Sequence, residues 1–357
     1  MSENTYSEEN QARPHIRMNK LWIHIGLFAL TFLSCMMAGA QWAFKDFTEI
    51  TNWHYGLTYA ILIMTFLSAH EFAHYAASRL HGVDASLPFF IPLPIPYIVN
   101  FGTLGAVIKT RSRIPSRRAL FDIGVSGPIA GFIVCFGFLL YGLATLPPID
   151  YLYNIHPEYL ENGGKIPETS LFFGDTLLYW IMTELFANPD GFLPPMNEIY
   201  HYPFLNVGWF GLFVTTLNML PLGQLDGGHV TYAMFGRRNH AKIARVVWWA
   251  MVAIGCGSLL GLIHESLQVD STGAVMQILR AALLPPLSWI ADSAPFIFRG
   301  WGGWLFWALI TRVFIKLDHP PVGASGSIGR GRMTLGWIAL VILLMSFSYN
   351  GIYYIEP

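Results

Sequence analysis

A His-Glu-x-x-His pattern, formed by His70, Glu71 and His74, lies inside an apolar stretch that runs from about Tyr55 to Ala77. Two histidines four residues apart project from one face of an α-helix, so their imidazoles can bind the same zinc ion. Glu71 lies beside them and can take a proton from a zinc-bound water, which is how helices with this pattern hydrolyse peptide bonds. Ionisable side chains are costly within a bilayer and are usually functional there. The pattern therefore predicts a hydrolytic zinc site inside the membrane.

A third zinc ligand has to come from elsewhere in the chain, because catalytic zinc takes three protein ligands and leaves one position for water. Asp226 is the best candidate, since it lies at the inner end of the fourth predicted membrane span, at the depth of the two histidines. Pro221 and the glycines around Asp226 favour a broken helix whose freed polar groups face a cavity. The alternative for Asp226 is a helix cap. His229 could compete for the metal, and we expect it to be a bystander or to support the ligands.

The composition identifies a polytopic membrane protein. Of its 357 residues, 54% are hydrophobic and 12% are charged, and the mean hydropathy is +0.44, whereas soluble domains carry about 25% charged residues. The net charge of -1 gives no basic surface for nucleic acid. We expect an all-α membrane protein with about six to seven transmembrane helices, since each needs about 20 apolar residues. Candidate spans are residues 21–42, 55–77, 121–146, 204–220, 246–263, 301–315 and 336–349.

Loop charges predict the orientation, because Lys and Arg accumulate on the cytoplasmic side of a membrane. The connections after the second, fourth and sixth spans are basic, whereas the segment 147–203 is acidic with Lys165 as its only Lys or Arg. This pattern predicts an inward N-terminus and a zinc site nearer the cytoplasmic face. The first span has a cleaved signal peptide as its alternative, and we prefer a retained helix. The expected regions are a cytoplasmic tail (1–20), a first transmembrane helix with an outer loop (21–54), a catalytic membrane core (55–230, with outer loop 147–203) and C-terminal transmembrane helices (231–357).

Two separated motifs carry a resemblance to a known family. The first is His70-Glu71-Phe72-Ala73-His74, and the second is the Asn-x-x-Pro-x-x-x-Leu-Asp-Gly pattern that runs from Asn218 to Gly227. With both, the chain resembles the site-2 protease family of intramembrane zinc metalloproteases over roughly residues 55–230. The stretch Gly127-Pro128-Ile129-Ala130-Gly131 is similar to the family's Gly-x-x-x-small motif. Alone, that stretch would indicate only close helix packing.

The resemblance implies the roles of five residues. His70, His74 and Asp226 would bind one Zn²⁺ per chain, Glu71 would be the general base, and Asn218 would hold or polarise the scissile carbonyl. The alternative for Asn218 is a helix-capping amide.

The resemblance also implies the partners and the location. Family substrates are single-span membrane proteins, commonly anti-sigma factors or membrane-bound regulators that a site-1 protease has first cut outside the membrane. The expected partners are therefore such a substrate, an upstream site-1 protease and the lipid bilayer, and no nucleic acid. We expect a multi-pass protein of a bacterial cell (inner) membrane that acts in regulated intramembrane proteolysis.

Two segments between the second and third spans predict a small β element. Residues 87–96 are apolar but too rich in proline for a helix, and residues 101–109 have the composition of a short strand with glycines where another backbone could approach. The pair is similar to the family's re-entrant β element beside the active site. Its edge could hold an unwound substrate by strand addition. The alternative is an interfacial loop.

Other classes of protein share parts of these patterns. An integral zinc protease of the prenyl-protein-processing type would carry the first motif but would take a Glu as its third ligand. A transporter would have no need of Glu71, and a pseudoprotease would lack a ligand. The Leu225-Asp226-Gly227 stretch argues against the prenyl-processing type, and neither a transporter nor a pseudoprotease fits the residues well.

Overall fold

The computed structural model describes residues 21–94, 100–269, 273–323 and 326–355, and this part of the chain is mainly helical. The predicted cytoplasmic tail therefore lies outside the described residues, as do residues 95 and 96 of the proline-rich segment. In chain order the elements are α1 (Leu21–Trp42), α2 (Leu57–Leu80), β1 (Phe89–Pro92), β2 (Thr103–Val107), α3 (Arg117–Ala144), α4 (Asp150–Ile155), α5 (Glu158–Glu161), β3 (Leu171–Phe173), α6 (Leu177–Phe186), α7 (Pro203–Met219), α8 (Asp226–Gln268), α9 (Ala274–Ser293), α10 (Gly303–Ile310), α11 (Arg330–Ser346) and β4 (Ile352–Tyr354). Short 3₁₀ turns lie at Ile50–Gly56, Ile199–His201 and Pro295–Ile297, and a π-helical turn at Thr311–Ile315.

Five helices of the described chain are long and apolar enough to cross a membrane: α1, α2 with the turn before it, α3, α8 and α9. The first three agree with the predicted spans to within a few residues. The fifth predicted span, 246–263, is part of α8, a 43-residue helix that bends at Gly236. Helix α9 was not among the predicted spans. It contains Pro285 and Pro286. Because prolines ordinarily interrupt a helix, the sequence did not predict a helix over these residues.

The other predicted spans form shorter helices. Helices α7 and α11 have 17 residues each, and α10 has 8 residues before it continues into the π-helical turn.

The chain between α7 and α8 is irregular, as the sequence predicted. Helix α7 ends at Met219, α8 begins at Asp226, and Gly223 has a φ of +48° in the connection. The Gly223 amide donates a hydrogen bond of 3.0 Å to the Leu317 carbonyl. A side chain at Gly227 would overlap the Met219 carbonyl, so the two helix ends can approach this closely only with glycine there. The break places Asp226 at the first position of α8.

Helix α3 is the centre of the core, because it packs against α2, α7 and α8. Phe66 of α2, Leu139 of α3 and Trp209 of α7 are all completely buried where these helices meet. Since α2 carries the two histidines and α8 begins with Asp226, α3 brings the elements of the predicted site together.

Charged contacts attach the later helices to this core. Arg332 of α11 makes a bidentate pair with Asp122 of α3, with nitrogen–oxygen distances of 2.7 and 2.8 Å, and His81 lies 2.8 Å from the same carboxylate. Arg117 at the start of α3 donates to the Ala233 carbonyl at 2.5 Å, just before α8 bends. Guanidinium pairs of this fork geometry give orientation as well as attraction. These contacts hold α8 and α11 against α3.

The two short strands form an antiparallel pair where the sequence predicted a β element. Phe89 pairs with Val107 and Phe90 with Ala106, and the register shifts before Pro92. Helix α1 supports the pair, since the Phe28 and Phe90 rings meet edge to face with centroids 5.0 Å apart. A second small antiparallel pair joins β3 to β4.

Candidate metal centre

His70, His74 and Asp226, here called the metal triad, meet at one point between α2 and α8. The two Nε2 atoms lie 3.1 Å apart, and each lies 3.3 Å from Asp226 Oδ2. Zinc binds nitrogen and oxygen at about 2.0–2.2 Å in a tetrahedron, whose edges are then about 3.3–3.6 Å, close to the observed separations. The three atoms therefore have the spacing that one zinc ion requires.

The His74 ring is held in the orientation that a ligand needs. Its Nδ1–H donates to the Ile123 carbonyl at 2.6 Å, which leaves the lone pair of Nε2 directed at the triad. A hydrogen bond of this kind fixes the tautomer of metal-binding histidines and increases their basicity. His70 is equally buried, at 3% exposed, and its Nδ1 has no protein partner among the described residues.

Two glycines of α3 make room for the histidine rings. A Cβ at Gly127 would overlap His74 Nε2, and a Cβ at Gly131 would lie 3.2 Å from His70 Nδ1 and 2.9 Å from the Phe66 ring. From the sequence, this Gly-x-x-x-Gly spacing is similar to a motif of the family and alone would indicate only close helix packing. The structure adds that the spacing lets α3 lie directly over the ligand face of α2.

A cavity of about 350 Å³, here called the site cavity, opens beside the triad. Glu71 is 7% exposed and lines this cavity together with Asn218, which lies in the last turn of α7. The end of β2 forms another wall through Ala106 and Val107. All five residues to which the sequence assigned roles are therefore in one place. A proton-accepting carboxylate, a carboxamide and a zinc-spaced triad can act on one substrate there.

His229 also lines the site cavity, but its ring faces a different partner from the triad. Its Nδ1 lies 2.8 Å from His319 Nε2, and His319 Nδ1 donates to the Pro320 carbonyl at 2.6 Å. No sequence motif pointed to His319, because it follows His229 by 90 residues and only the tertiary fold brings the two together. The expectation that His229 is a bystander or a support for the ligands stays a prediction.

The chain belongs to peptidase family M50, whose sequence model matches residues 58–262. This match confirms the resemblance to the site-2 protease family, and it covers the metal triad, the site cavity and all helices from α2 to most of α8. No solved structure matches the chain.

Curated relatives agree with this assignment. The chain is 29% identical over 195 residues to "Probable zinc metalloprotease EGY2, chloroplastic" of Oryza sativa subsp. indica, a match covering 53% of this chain and 31% of that protein. It is 32% identical over 170 residues to EGY1 of Oryza sativa subsp. japonica, covering 47% of this chain and 26% of the relative, and 26% identical over 188 residues to EGY2 of Arabidopsis thaliana, covering 53% and 30%. The matches thus span about a third of the length of these relatives. Their names confirm zinc as the predicted metal, and they do not favour a prenyl-processing protease, a transporter or a pseudoprotease.

The predicted location in a bacterial inner membrane is wrong by this comparison. The relatives are chloroplastic proteins of plants, which point to a chloroplast membrane. The prediction rested on the resemblance to the family, and the residues themselves indicate only the depth and sidedness of helices, which do not distinguish one membrane from another.

Gly127→Ala should weaken zinc binding by at least about tenfold, because the added methyl group displaces the His74 ring and changes to the surroundings of a ligand cost 10–100-fold in metal affinity. Gly137→Ala, on the same helix with open space at its Cβ, is the matched control and should bind zinc as the wild type does. Zinc affinity of the two purified variants in detergent is measured by competition with a chelating dye. Equal affinities in both variants would show that α3 does not position the ligand.

Proposed function

We propose that this chain is an intramembrane zinc endopeptidase that hydrolyses peptide bonds within or near the transmembrane segments of membrane-bound proteins. The observation that carries the proposal is the metal triad, with its edges of 3.1 and 3.3 Å, between α2 and α8, two helices long and apolar enough to cross a membrane. Membership of peptidase family M50 supports it.

Each residue of the site has a distinct task in this reaction. His70, His74 and Asp226 would hold the zinc ion, which when bound would supply a Lewis acid for water and for the scissile carbonyl. Glu71 takes the proton of the attacking water and delivers it to the leaving amine. The Asn218 carboxamide donates a hydrogen bond to the scissile carbonyl oxygen, on which negative charge develops. Both side chains face the same cavity as the triad, which supports these tasks.

The substrate is a single-span membrane protein in this proposal, and the β1–β2 pair is the re-entrant element that receives it. A helical segment hides its amides in its own hydrogen bonds, so a stretch must unwind before it can be cut. Strand β2 has β1 on one edge, and Val107 near its end is 51% exposed and lines the site cavity. Strand addition along the other edge of β2 would present an extended peptide to Glu71. A prior cut by a site-1 protease would free the substrate to enter.

The membrane core consists of residues 55–230 with further helices on both sides in this proposal. The segment formed by α10 and its π-helical turn crosses the bilayer, as do α1, α2, α3 and α8, and helices α7 and α11 complete the seven predicted spans. Their 17 residues each meet the lower limit for a transmembrane helix. The irregular connection between α7 and α8 supports this placement, because its Gln224 and Leu225 line the site cavity and irregular backbone at membrane depth is tolerated where it lines a cavity.

Glu71→Gln should abolish cleavage while the zinc content stays at that of the wild type, because the side chain acts on water and does not bind the metal. His74→Ala and Asp226→Ala should lower both cleavage and zinc content, since each removes a ligand. Cleavage of candidate single-span proteins in detergent and metal analysis of the same samples give the two readouts. Retained cleavage in Glu71→Gln would remove the proposed general base, and unchanged zinc in Asp226→Ala would remove the proposed third ligand.

A cysteine placed at Val107 should form a disulfide with a substrate that carries one cysteine near its cleavage point. The test uses a substrate found with the wild type, the inactive Glu71→Gln chain as a trap, and a background without the native cysteines. Leu185→Cys on α6 is the matched control, because that side chain is also exposed, at 68%, but does not line the site cavity. Equal cross-linking of both positions would contradict binding along β2.

A further inference from the structure

A second group of metal-binding side chains lies between α3 and α7, away from the site cavity. His156 directly follows α4, Glu198 directly precedes the 3₁₀ turn Ile199–His201, and His201 ends that turn. These three residues, here called the loop cluster, are 4%, 0% and 2% exposed. Their nitrogen and oxygen ligand atoms all lie within 4.8 Å of one another. Histidine and glutamate are seldom so deeply buried unless they are paired or bind a metal.

The hydrogen bonds of the two imidazoles fix where their protons lie. His156 Nδ1 lies 2.7 Å from Glu158 Oε1, and His201 Nδ1 lies 2.8 Å from the Trp42 carbonyl oxygen. A carboxylate and a carbonyl can only accept, so both Nδ1 atoms carry the hydrogen. The two Nε2 atoms are left with lone pairs, and they face each other at 2.9 Å. Two acceptors at this distance need a cation between or beside them.

The Glu198 carboxylate points at the same place. Its Oε1 accepts a hydrogen bond of 2.8 Å from the Tyr159 hydroxyl, which fixes the plane of the carboxylate. Its Oε2 lies 3.4 Å from His201 Nε2 and has no hydrogen-bond donor among the described residues. A completely buried carboxylate oxygen without a donor is unfavourable unless a positive charge compensates it.

A single proton cannot satisfy this arrangement, whereas a divalent cation can. A proton shared by the two Nε2 atoms leaves the Glu198 oxygen without a hydrogen-bond donor. A proton directed at Glu198 instead leaves the two Nε2 lone pairs facing each other. A zinc ion accepts all three lone pairs at once, and two imidazoles with one carboxylate are a common zinc ligand set. Mg²⁺ and Ca²⁺ prefer ligand sets made of oxygen. The contacts of the two Nδ1 atoms with a carboxylate and a carbonyl are also those typical of zinc-binding histidines.

We propose that His156, Glu198 and His201 bind a second zinc ion with a structural role. The Tyr159 ring stacks on His156 with centroids 4.6 Å apart, and the Phe44 ring covers it from another side at 4.6 Å. Such an enclosed site has no place for a substrate, which is the mark of structural zinc.

The position of the loop cluster indicates what the ion would stabilise. Trp42 is the last residue of α1, and its carbonyl is one of the helix-end acceptors that need an external donor. His201 supplies that donor, and α7 begins two residues later. The ion would therefore tie the segment after α4 to the end of α1 and to the start of α7, the helix that carries Asn218.

Metal analysis of the full chain in detergent tests the proposal. The wild type should contain about two zinc ions per chain, one for each site. His74→Ala should retain about one, and His74→Ala combined with His156→Gln or Glu198→Gln should retain none. Glu198→Gln keeps the oxygen that accepts from Tyr159, so it changes the ligand and little else. His54→Gln is the matched control, because His54 is an exposed histidine that belongs to neither site and whose Nδ1 bonds the Thr51 carbonyl, and it should leave both ions in place.

The outcomes separate this proposal from the proposed protease activity. Zinc that remains in His74→Ala and is lost on adding Glu198→Gln supports the second site, whether or not the protein cleaves any substrate. A wild type with one zinc ion, all of it lost in His74→Ala, would overturn it. The His74→Ala chain also tests the site without any change to the loop cluster. A chelator should lower its melting temperature and added zinc should restore it, and a melting temperature indifferent to both would contradict the proposal.

Discussion

The rest of this structure depends on one constraint, which is that three metal-binding side chains share a single point inside an apolar helical core. Two buried imidazoles and a partly buried carboxylate that lie 3.1–3.3 Å from one another are unfavourable unless a positive charge uses their lone pairs. The fold meets this constraint with three local devices: the helical spacing of His70 and His74, the break before Asp226, and the small residues of α3. A change in any of them moves a ligand by more than a metal bond tolerates.

Much of this site could be predicted from the sequence, because its main signals are local. The spacing of His70 and His74 fixes them on one helical face wherever the helix lies. The proline and glycines near Asp226 indicated the broken helix, and their place along the chain gave the depth of the third ligand. The bounds of α1 are those predicted, and the β element lies where proline and glycine indicated it.

What the sequence did not predict depends on contacts between distant segments. His229 and His319 are 90 residues apart, and the two histidines of the loop cluster are 45 apart, so neither pair forms a motif. Only the tertiary structure, in which α3 lies against the His74 ring, explains why residue 127 is a glycine. Helix α9 was missed because two prolines lie inside it. The kind of membrane was wrongly predicted because the prediction rested on the family resemblance, and lipid-facing residues do not distinguish one membrane from another.

The two sites differ in their access rather than in their ligands, and this difference separates their proposed tasks. The metal triad borders a cavity with a carboxylate and a carboxamide, so water and a peptide can reach it. Aromatic rings enclose the loop cluster, so its ion could only hold chain segments together. Open zinc sites are catalytic and closed ones structural in proteins generally.

The central claim is that one zinc ion joins α2 to the start of α8, and anomalous diffraction at the zinc absorption edge tests it most directly. Data collected from crystals of the full chain on both sides of the edge locate zinc without any assumption about activity. The account predicts a peak about 2.0–2.2 Å from His70 Nε2, His74 Nε2 and an oxygen of Asp226. A zinc-loaded crystal without a peak there, or with the peak between His229 and His319 instead, would contradict it.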